Sequence, residues 1–253
     1  MHSVVSRSRD PLILFVHGWC GSSRVWLDIA SSMFPQFSTV IPDLWGHGKS
    51  KALEKSVEPQ DIADGLAHII RTSGPAHCVG VGHSMGCGAL LLLASKYPEL
   101  IDGLVMVEGV YPKAKMPAAT GSSPTRRQMF ENMLSPRQHE AWARDVLEEC
   151  LRVPDSVADS YLPVVRANRE DLVRKRIAPT IIISREVFNG ERLVPSDWQG
   201  IESTVAAVRF VAGTQTHFVM QEDPQGTHRE TLAAVVAVLE LSRKAPKNCK
   251  LDL

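Results

Sequence analysis

The sequence predicts an α/β protein: a doubly wound, mostly parallel sheet that carries a small helical cap as an insertion. Three observations lead there. Short continuous apolar runs alternate with helical segments, as expected of strands covered on both faces by crossover helices. One such junction, Val79-Gly80-Val81-Gly82-His83-Ser84-Met85-Gly86-Cys87-Gly88, contains G-x-S-x-G between a strand-like and a helix-like run. From about Pro112 to Val173 the alternation gives way to a loop and charged helices. The reading is a core of residues 1–111 and 174–253 with a cap over 112–173. A chain of 253 residues is long enough to bury one continuous core of this kind.

The elements follow in order. Pro11 to Val16 is apolar throughout and ends at His17-Gly18, which suits a central strand, and Ser22 to Met33 reads as a helix. Phe37 to Asp43 forms the next strand, closed by the turn-rich Leu44-Trp45-Gly46-His47-Gly48-Lys49-Ser50. Asp61 to Thr72 is amphipathic, with Ile62, Leu66, Ile69 and Ile70 on one face, and Gly74-Pro75 ends it. Ala76 to Val81 is a strand, Cys87 to Lys96 a buried helix, and Ile101 to Glu108 another strand. Lys113 to Pro124 reads as a flexible loop, while Arg126 to Leu151 and Ser156 to Arg176 read as charged helices. Pro179 to Ser184 and Val205 to Val211 resume the strands, Thr231 to Leu241 is a closing helix, and Ser242 to Leu253 a solvated tail.

The G-x-S-x-G junction implies chemistry. A strand that turns sharply into a helix holds its serine in strained geometry, and only small residues such as Gly82 and Gly86 fit beside it. Ser84 then stands at the sheet edge, where the N-terminus of the following helix stabilises developing negative charge. A serine hydroxyl needs a base, and the base needs an acid to fix its tautomer. His217 is the best base: it lies in a loop beyond the strand at Val208-Arg209-Phe210-Val211, after the nucleophile in chain order. His228 and His139 default to surface residues, His77 to an exposed strand start, and His83 to a place beneath the turn or in the pocket wall. The second oxyanion donor, besides the N–H of Met85, is Trp19 in Val16-His17-Gly18-Trp19. Its indole either walls the pocket or belongs only to the core.

His17-Gly18-Trp19, Pro42-Asp43 with Gly46-His47-Gly48-Lys49-Ser50, Gly82-His83-Ser84-Met85-Gly86, and Gly213 to Phe218 with Glu222-Asp223-Pro224 together resemble the α/β-hydrolase fold superfamily. The likeness spans nearly the whole chain outside the cap. It implies a nucleophile at Ser84, a base at His217 and oxyanion donors at Trp19 and Met85.

The acid departs from the common pattern. Most members carry an Asp nine residues after the Pro that opens the strand at Pro179, a position held here by Phe188 in Ser184-Arg185-Glu186-Val187-Phe188-Asn189-Gly190-Glu191. Certain lactone hydrolases and haloalkane dehalogenases resemble another plan, with the acid at the end of the strand after the helix that follows the nucleophile. Glu108 ends that strand, directly after Leu104-Val105-Met106-Val107, and a carboxylate emerging from such a run needs a partner. Glu186 and Glu191 are the alternatives, their other reading being a solvated loop. Asp43 reads as a local support of its turn.

Equal numbers of basic and acidic residues, 28 of each, leave no net field toward nucleic acid or an anionic membrane, so a small, weakly charged substrate is expected. Five scattered cysteines without a C-x-x-C or zinc pattern, no signal-peptide pattern and no long apolar run imply reduced thiols and a cytoplasmic location. No metal or cofactor is needed for the chemistry read here. The leading expectation is a serine hydrolase of a carboxylic ester, lactone or thioester. Trp19, His83 and Trp142 are expected to touch substrate, with Met116, Met129, Phe130, Met133, Leu134 and Leu147 as further cap candidates. Two other readings stand beside it. Gly18-Trp19-Cys20, the Gly46-His47-Gly48 turn and Thr216-His217-Phe218 also resemble cofactor-free dioxygenases of N-heteroaromatic rings, which use a His–acid dyad. The Phe188 position is compatible with a catalytically silent ligand-binding protein.

Overall fold

The apolar runs of the sequence become the strands of one sheet. The structure, a computed structural model, describes residues 1–111, 124–166, 178–198 and 205–244. Its strands are β1 (Ser3–Ser6), β2 (Leu12–Val16), β3 (Ser38–Pro42), β4 (Cys78–His83), β5 (Gly103–Val107), β6 (Thr180–Arg185), the two-residue β7 (Val187–Phe188) and β8 (Glu191–Arg192), and β9 (Ala207–Val211). Helices α1 (Leu27–Met33), α2 (Pro59–Ser73) and α3 (Met85–Lys96) lie between the early strands. Four more, α4 (Arg126–Leu134), α5 (Ala141–Arg152), α6 (Asp155–Ser160) and α7 (Leu162–Arg166), fall between β5 and β6 where the cap is expected. A short α8 (Val219–Glu222) and the closing α9 (Pro224–Lys244) end the described chain.

The seven-stranded order is β1-β3-β2-β4-β5-β6-β9, with all pairs parallel except β1 with β3. Residues of β2, β4, β5 and β6 are buried throughout, so continuous apolar runs are what this position demands. The chain reverses its winding between β2 and β4, and a crevice opens there beyond the strand ends. Register then sets the site. His83 pairs with Val107 and Val107 with Ile183, which places Ser84, Glu108 and Ser184 side by side one step further on.

Several elements differ from expectation for identifiable reasons. The antiparallel edge strand Ser3–Ser6 is short and half-buried, so its sequence carries no apolar run. The helix expected over Arg126 to Leu151 is two, because Ser135 precedes Pro136 and takes extended geometry (φ −66°, ψ 138°). The closing helix starts at Pro224, seven residues earlier than expected, with proline at its first position. Asn189-Gly190, with φ of 51° and 80°, makes the tight turn of the β7–β8 hairpin. The loop expected over Lys113 to Pro124 lies outside the described residues except for Pro124. So do Met116, the end of the second cap helix, the boundary at 173 and 174, and Cys249. Cys20, Cys78, Cys87 and Cys150 are buried, with no disulfide among the described residues. None of the described helices is long and apolar enough to cross a membrane.

Candidate active site

Ser84 sits between β4 and α3 with φ 50° and ψ −118°, a conformation that side chains rarely adopt. The flanking glycines are required by contact. A Cβ on Gly86 would lie 2.3 Å from the Val16 carbonyl oxygen, and one on Gly82 would lie 2.8 Å from the Cys87 backbone nitrogen. The Ser84 N–H donates to Val107 O (2.9 Å), and Ser84 O accepts from the Cys87 N–H (3.0 Å), so both sides of the turn are fixed.

The turn after β2 closes on the same spot. His17 is fully buried, and its Nε2 accepts from the Leu44 N–H (3.0 Å). That leaves the proton on Nδ1, which donates to Gly18 O (2.8 Å), and burial lowers the imidazole pKa so that it stays neutral. Among the described residues neither the Trp19 nor the Met85 backbone N–H donates to a protein acceptor. The Trp19 indole donates to Ala158 O of α6 (2.9 Å) and stacks on Phe130. Asp43 accepts from Ser23 N–H (2.7 Å) and Lys49 N–H (2.9 Å), holding its turn as the sequence suggests.

His217 lies in the loop after β9. Glu222 accepts from the Gln215 and Thr216 N–H groups (3.0 and 2.8 Å), and the His217 N–H donates to Met133 O of α4 (2.9 Å). His83 is buried beneath, donating from Nε2 to His217 O (2.8 Å). Burial, reinforced by the neighbouring His217, pushes the His83 imidazole well below its ordinary pKa, so it is neutral.

Of the three candidate acids, Glu108 is the one brought to His217, with Oε2 3.3 Å from Nδ1. It takes φ 49° and is 1 % exposed. Its Oε1 accepts from Ser184 Oγ (3.0 Å) and Arg185 N–H (2.7 Å), and its Oε2 from Arg185 Nε (2.7 Å). Burial alone would raise its pKa. The Arg185 charge, His217 and the Arg185 N–H outweigh that and hold the carboxyl well below the usual carboxylate range. Glu186 instead accepts from Gly213 N–H (2.8 Å) and Arg192 (2.7 Å), and Glu191 is exposed in β8. Phe188, at the position where most members carry the Asp, lies in the β7–β8 hairpin.

Two participants were not anticipated. Tyr111 Oη lies 2.5 Å from His217 Nδ1, and Arg185 Nη2 lies 3.5 Å from it. Arg185 had a legible signal, a charge emerging from the apolar run Thr180-Ile181-Ile182-Ile183-Ser184, the same reasoning that singles out Glu108. Tyr111 had none.

Ser84 and His217 face one cavity of about 40 Å³, walled by Trp19, Val25, Met129, Phe130, Met133, Val165 and Phe218, with His83 at its floor. No hydrogen bond joins their side chains here, a spacing common in unliganded sites. Trp142 is outside the cavity: its indole donates to Glu140 (2.6 Å) at the start of its own helix, which corrects its expected substrate contact. Leu134 is buried in the core and Leu147 packs against it. His139 and His77 are exposed, whereas His228 is half-buried with Nε2 inside. Among the described residues no group of three or more His, Cys, Asp or Glu side chains is placed to hold a metal ion.

Residues 11–150 match the model of the alpha/beta hydrolase fold family. The chain belongs to the α/β-hydrolase fold family. Within it, the chain is 35% identical over 106 residues to a 2-(acetamidomethylene)succinate hydrolase of Mesorhizobium japonicum, a match covering 42% of this chain and 38% of that protein. The chain thus matches well under half of that relative's length. The structure of an esterase from Thermogutta terrifontis superposes with TM-score 0.70 at 19% identity, over 93% of each chain. That of E-2-(acetamidomethylene)succinate hydrolase superposes with TM-score 0.67 at 21% identity, over 93% of this chain and 100% of that one. These α/β-hydrolase structures share the fold with this chain.

Proposed function

We propose that this α/β-hydrolase is a serine hydrolase that cleaves a carboxylic ester, lactone or thioester through an acyl-enzyme on Ser84. The observation that carries the reading is the strained Ser84 facing the same cavity as His217, whose Nδ1 is 3.3 Å from the buried Glu108 carboxylate. Ser84 Oγ attacks the carbonyl carbon while His217 Nε2 takes its proton, and the Trp19 and Met85 N–H groups receive the oxyanion. The proton then passes to the leaving group. Water, deprotonated by the same imidazole, releases the acyl group. Glu108 stays ionised throughout, so the acid limb of the pH–rate profile reports His217 and not the carboxyl. Among the described residues that line the cavity there is no Lys or Arg, and this apolar lining favours an uncharged acyl group.

A fluorophosphonate probe tests the nucleophile. The intact protein should gain the probe's mass at Ser84, and Ser84→Ala should not. Labelling that persists in the variant, or is absent from a folded wild type, rejects the reading. The second reading, a base acting directly on a heteroaromatic substrate, draws on the His217–Glu108 pair, which can take a proton without the serine. Oxygen uptake with a hydroxyquinolone in both wild type and Ser84→Ala would establish that reading.

The cap sets the acyl size. Phe130 closes the cavity against Trp19, so Phe130→Ala should improve kcat/KM for a six-carbon p-nitrophenyl ester relative to acetate by roughly tenfold or more, the scale expected for pocket methylenes. An unchanged chain-length profile would show that acyl chains leave by another route.

A further inference from the structure

On the reading of His217 as the base, its inner nitrogen meets more than an acid. Nδ1 faces Tyr111 Oη at 2.5 Å, Glu108 Oε2 at 3.3 Å and Arg185 Nη2 at 3.5 Å, while the neutral His83 packs on the ring from below. Arg185 is nine-tenths buried and fully engaged. Nε and Nη2 contact the Glu108 carboxylate, Nη1 donates to Gln215 O (3.2 Å), and Nη2 donates to Tyr111 Oη (3.4 Å). The guanidinium also lies over the Phe188 and Tyr111 rings, 5.0 and 5.7 Å from their centroids. Phe188 thus fills the family's usual acid position with a ring that packs on this cation.

The tyrosine hydroxyl has one proton, and among the described residues its shortest acceptor other than His217 is the Glu108 carbonyl oxygen (2.8 Å), ahead of Glu108 Oε2 (3.2 Å). With that proton so placed, its lone pairs receive Nδ1–H of His217 and Nη2–H of Arg185. The proton on Nδ1 leaves Nε2 free to act as the base.

We infer that Tyr111 and Arg185 are positioning residues of the base: Tyr111 accepts the His217 Nδ1 hydrogen bond, and Arg185 pins and neutralises Glu108. In an acid–base pair without such a cation, the carboxylate favours the imidazolium strongly. Here an equal positive charge stands at nearly the same distance from the ring and restrains that effect. The consequence is a base that stays neutral to lower pH than a bare His–Glu pair would.

Histidine titration by NMR in the absence of substrate tests this. Arg185→Gln should raise the His217 pKa by about one unit or more, since an opposing charge at this distance is removed. Tyr111→Phe should lower it by several tenths of a unit, because the imidazolium loses an acceptor. The acid limb of kcat/KM should move in the same two directions, with Arg185→Lys close to wild type. Opposite signs separate positioning from general disturbance. Unchanged titration in a folded Arg185→Gln, or shifts of the same sign in both variants, overturns the inference. If circular dichroism shows Arg185→Gln unfolded, Tyr111→Phe decides alone, and an unaltered His217 titration there overturns it. Failure of ester turnover in the wild type would reject the proposed function and leave these titrations interpretable.

Discussion

Ser84→Ala and His217→Ala are each expected to lower kcat on an activated ester by about 10⁶-fold, and Glu108→Gln by about 10³- to 10⁴-fold. The first two remove members of a unit in which each is useless without the other, so the double variant should be no worse than either single one. The Glu108 effect has a different origin. Glutamine keeps the volume and can still accept a hydrogen bond, yet it leaves the buried Arg185 charge 3.5 Å from Nδ1 without compensation. The imidazolium must then form beside an unopposed cation, and kcat should fall while KM changes little. Steady-state kinetics on p-nitrophenyl acetate measures all three. Multiplicative losses in the double variant, or a Glu108→Gln enzyme within tenfold of wild type, would rule out this division of roles.

Stability should fall between pH 7.5 and pH 5.5, by about 1.4 kcal/mol from His47 alone, whose folded pKa is about 3. Three buried histidines cause it. Burial lowers the pKa of His17, His83 and His47, the last to about 3, and the neighbouring His17 adds to the effect on His47. Once the chain unfolds they protonate near the ordinary imidazole value of 6.5, while the folded forms stay neutral. Below that value the unfolded state binds more protons, so folding loses up to about 1.4 kcal/mol per pH unit for each group. Glu108 extends the loss at lower pH. Its unfolded carboxyl takes a proton near the ordinary value while the folded one remains ionised, so its contribution fades as pH falls toward the folded pKa. Guanidinium unfolding at the two pH values gives the difference. Equal unfolding free energies would mean that these imidazoles are solvated.

The sheet was legible because its strands are covered on both faces. Leu12–Val16 and Gly103–Val107 are apolar at every position, and such runs admit few other readings. Ser84 and the Gly82 and Gly86 contacts were legible for a local reason, since the turn itself dictates residue size. Glu108 could be singled out as a charge leaving an apolar strand, but its partners could not, because Tyr111 and Arg185 meet His217 only after strand register has brought β5 and β6 together. The hairpin at Asn189-Gly190 has a strong local turn signal in that dipeptide, yet its two-residue strands are too short to carry a strand pattern. Trp142 illustrates the opposite limit: a large aromatic side chain in the cap looks like a pocket wall until helix phase turns it toward Glu140.

The hydrogen bond from the His217 N–H to Met133 O ties the His217 loop to α4 in the cavity wall, and Arg137 of the segment after α4 reaches Glu222 at the end of α8. Displacing α4 would take the Met133 carbonyl from the His217 backbone N–H while Tyr111 and Glu108 still faced Nδ1 of the ring. On the proposed reading, a change in α4 that enlarges the cavity would thus be felt at the His217 backbone through one shared hydrogen bond.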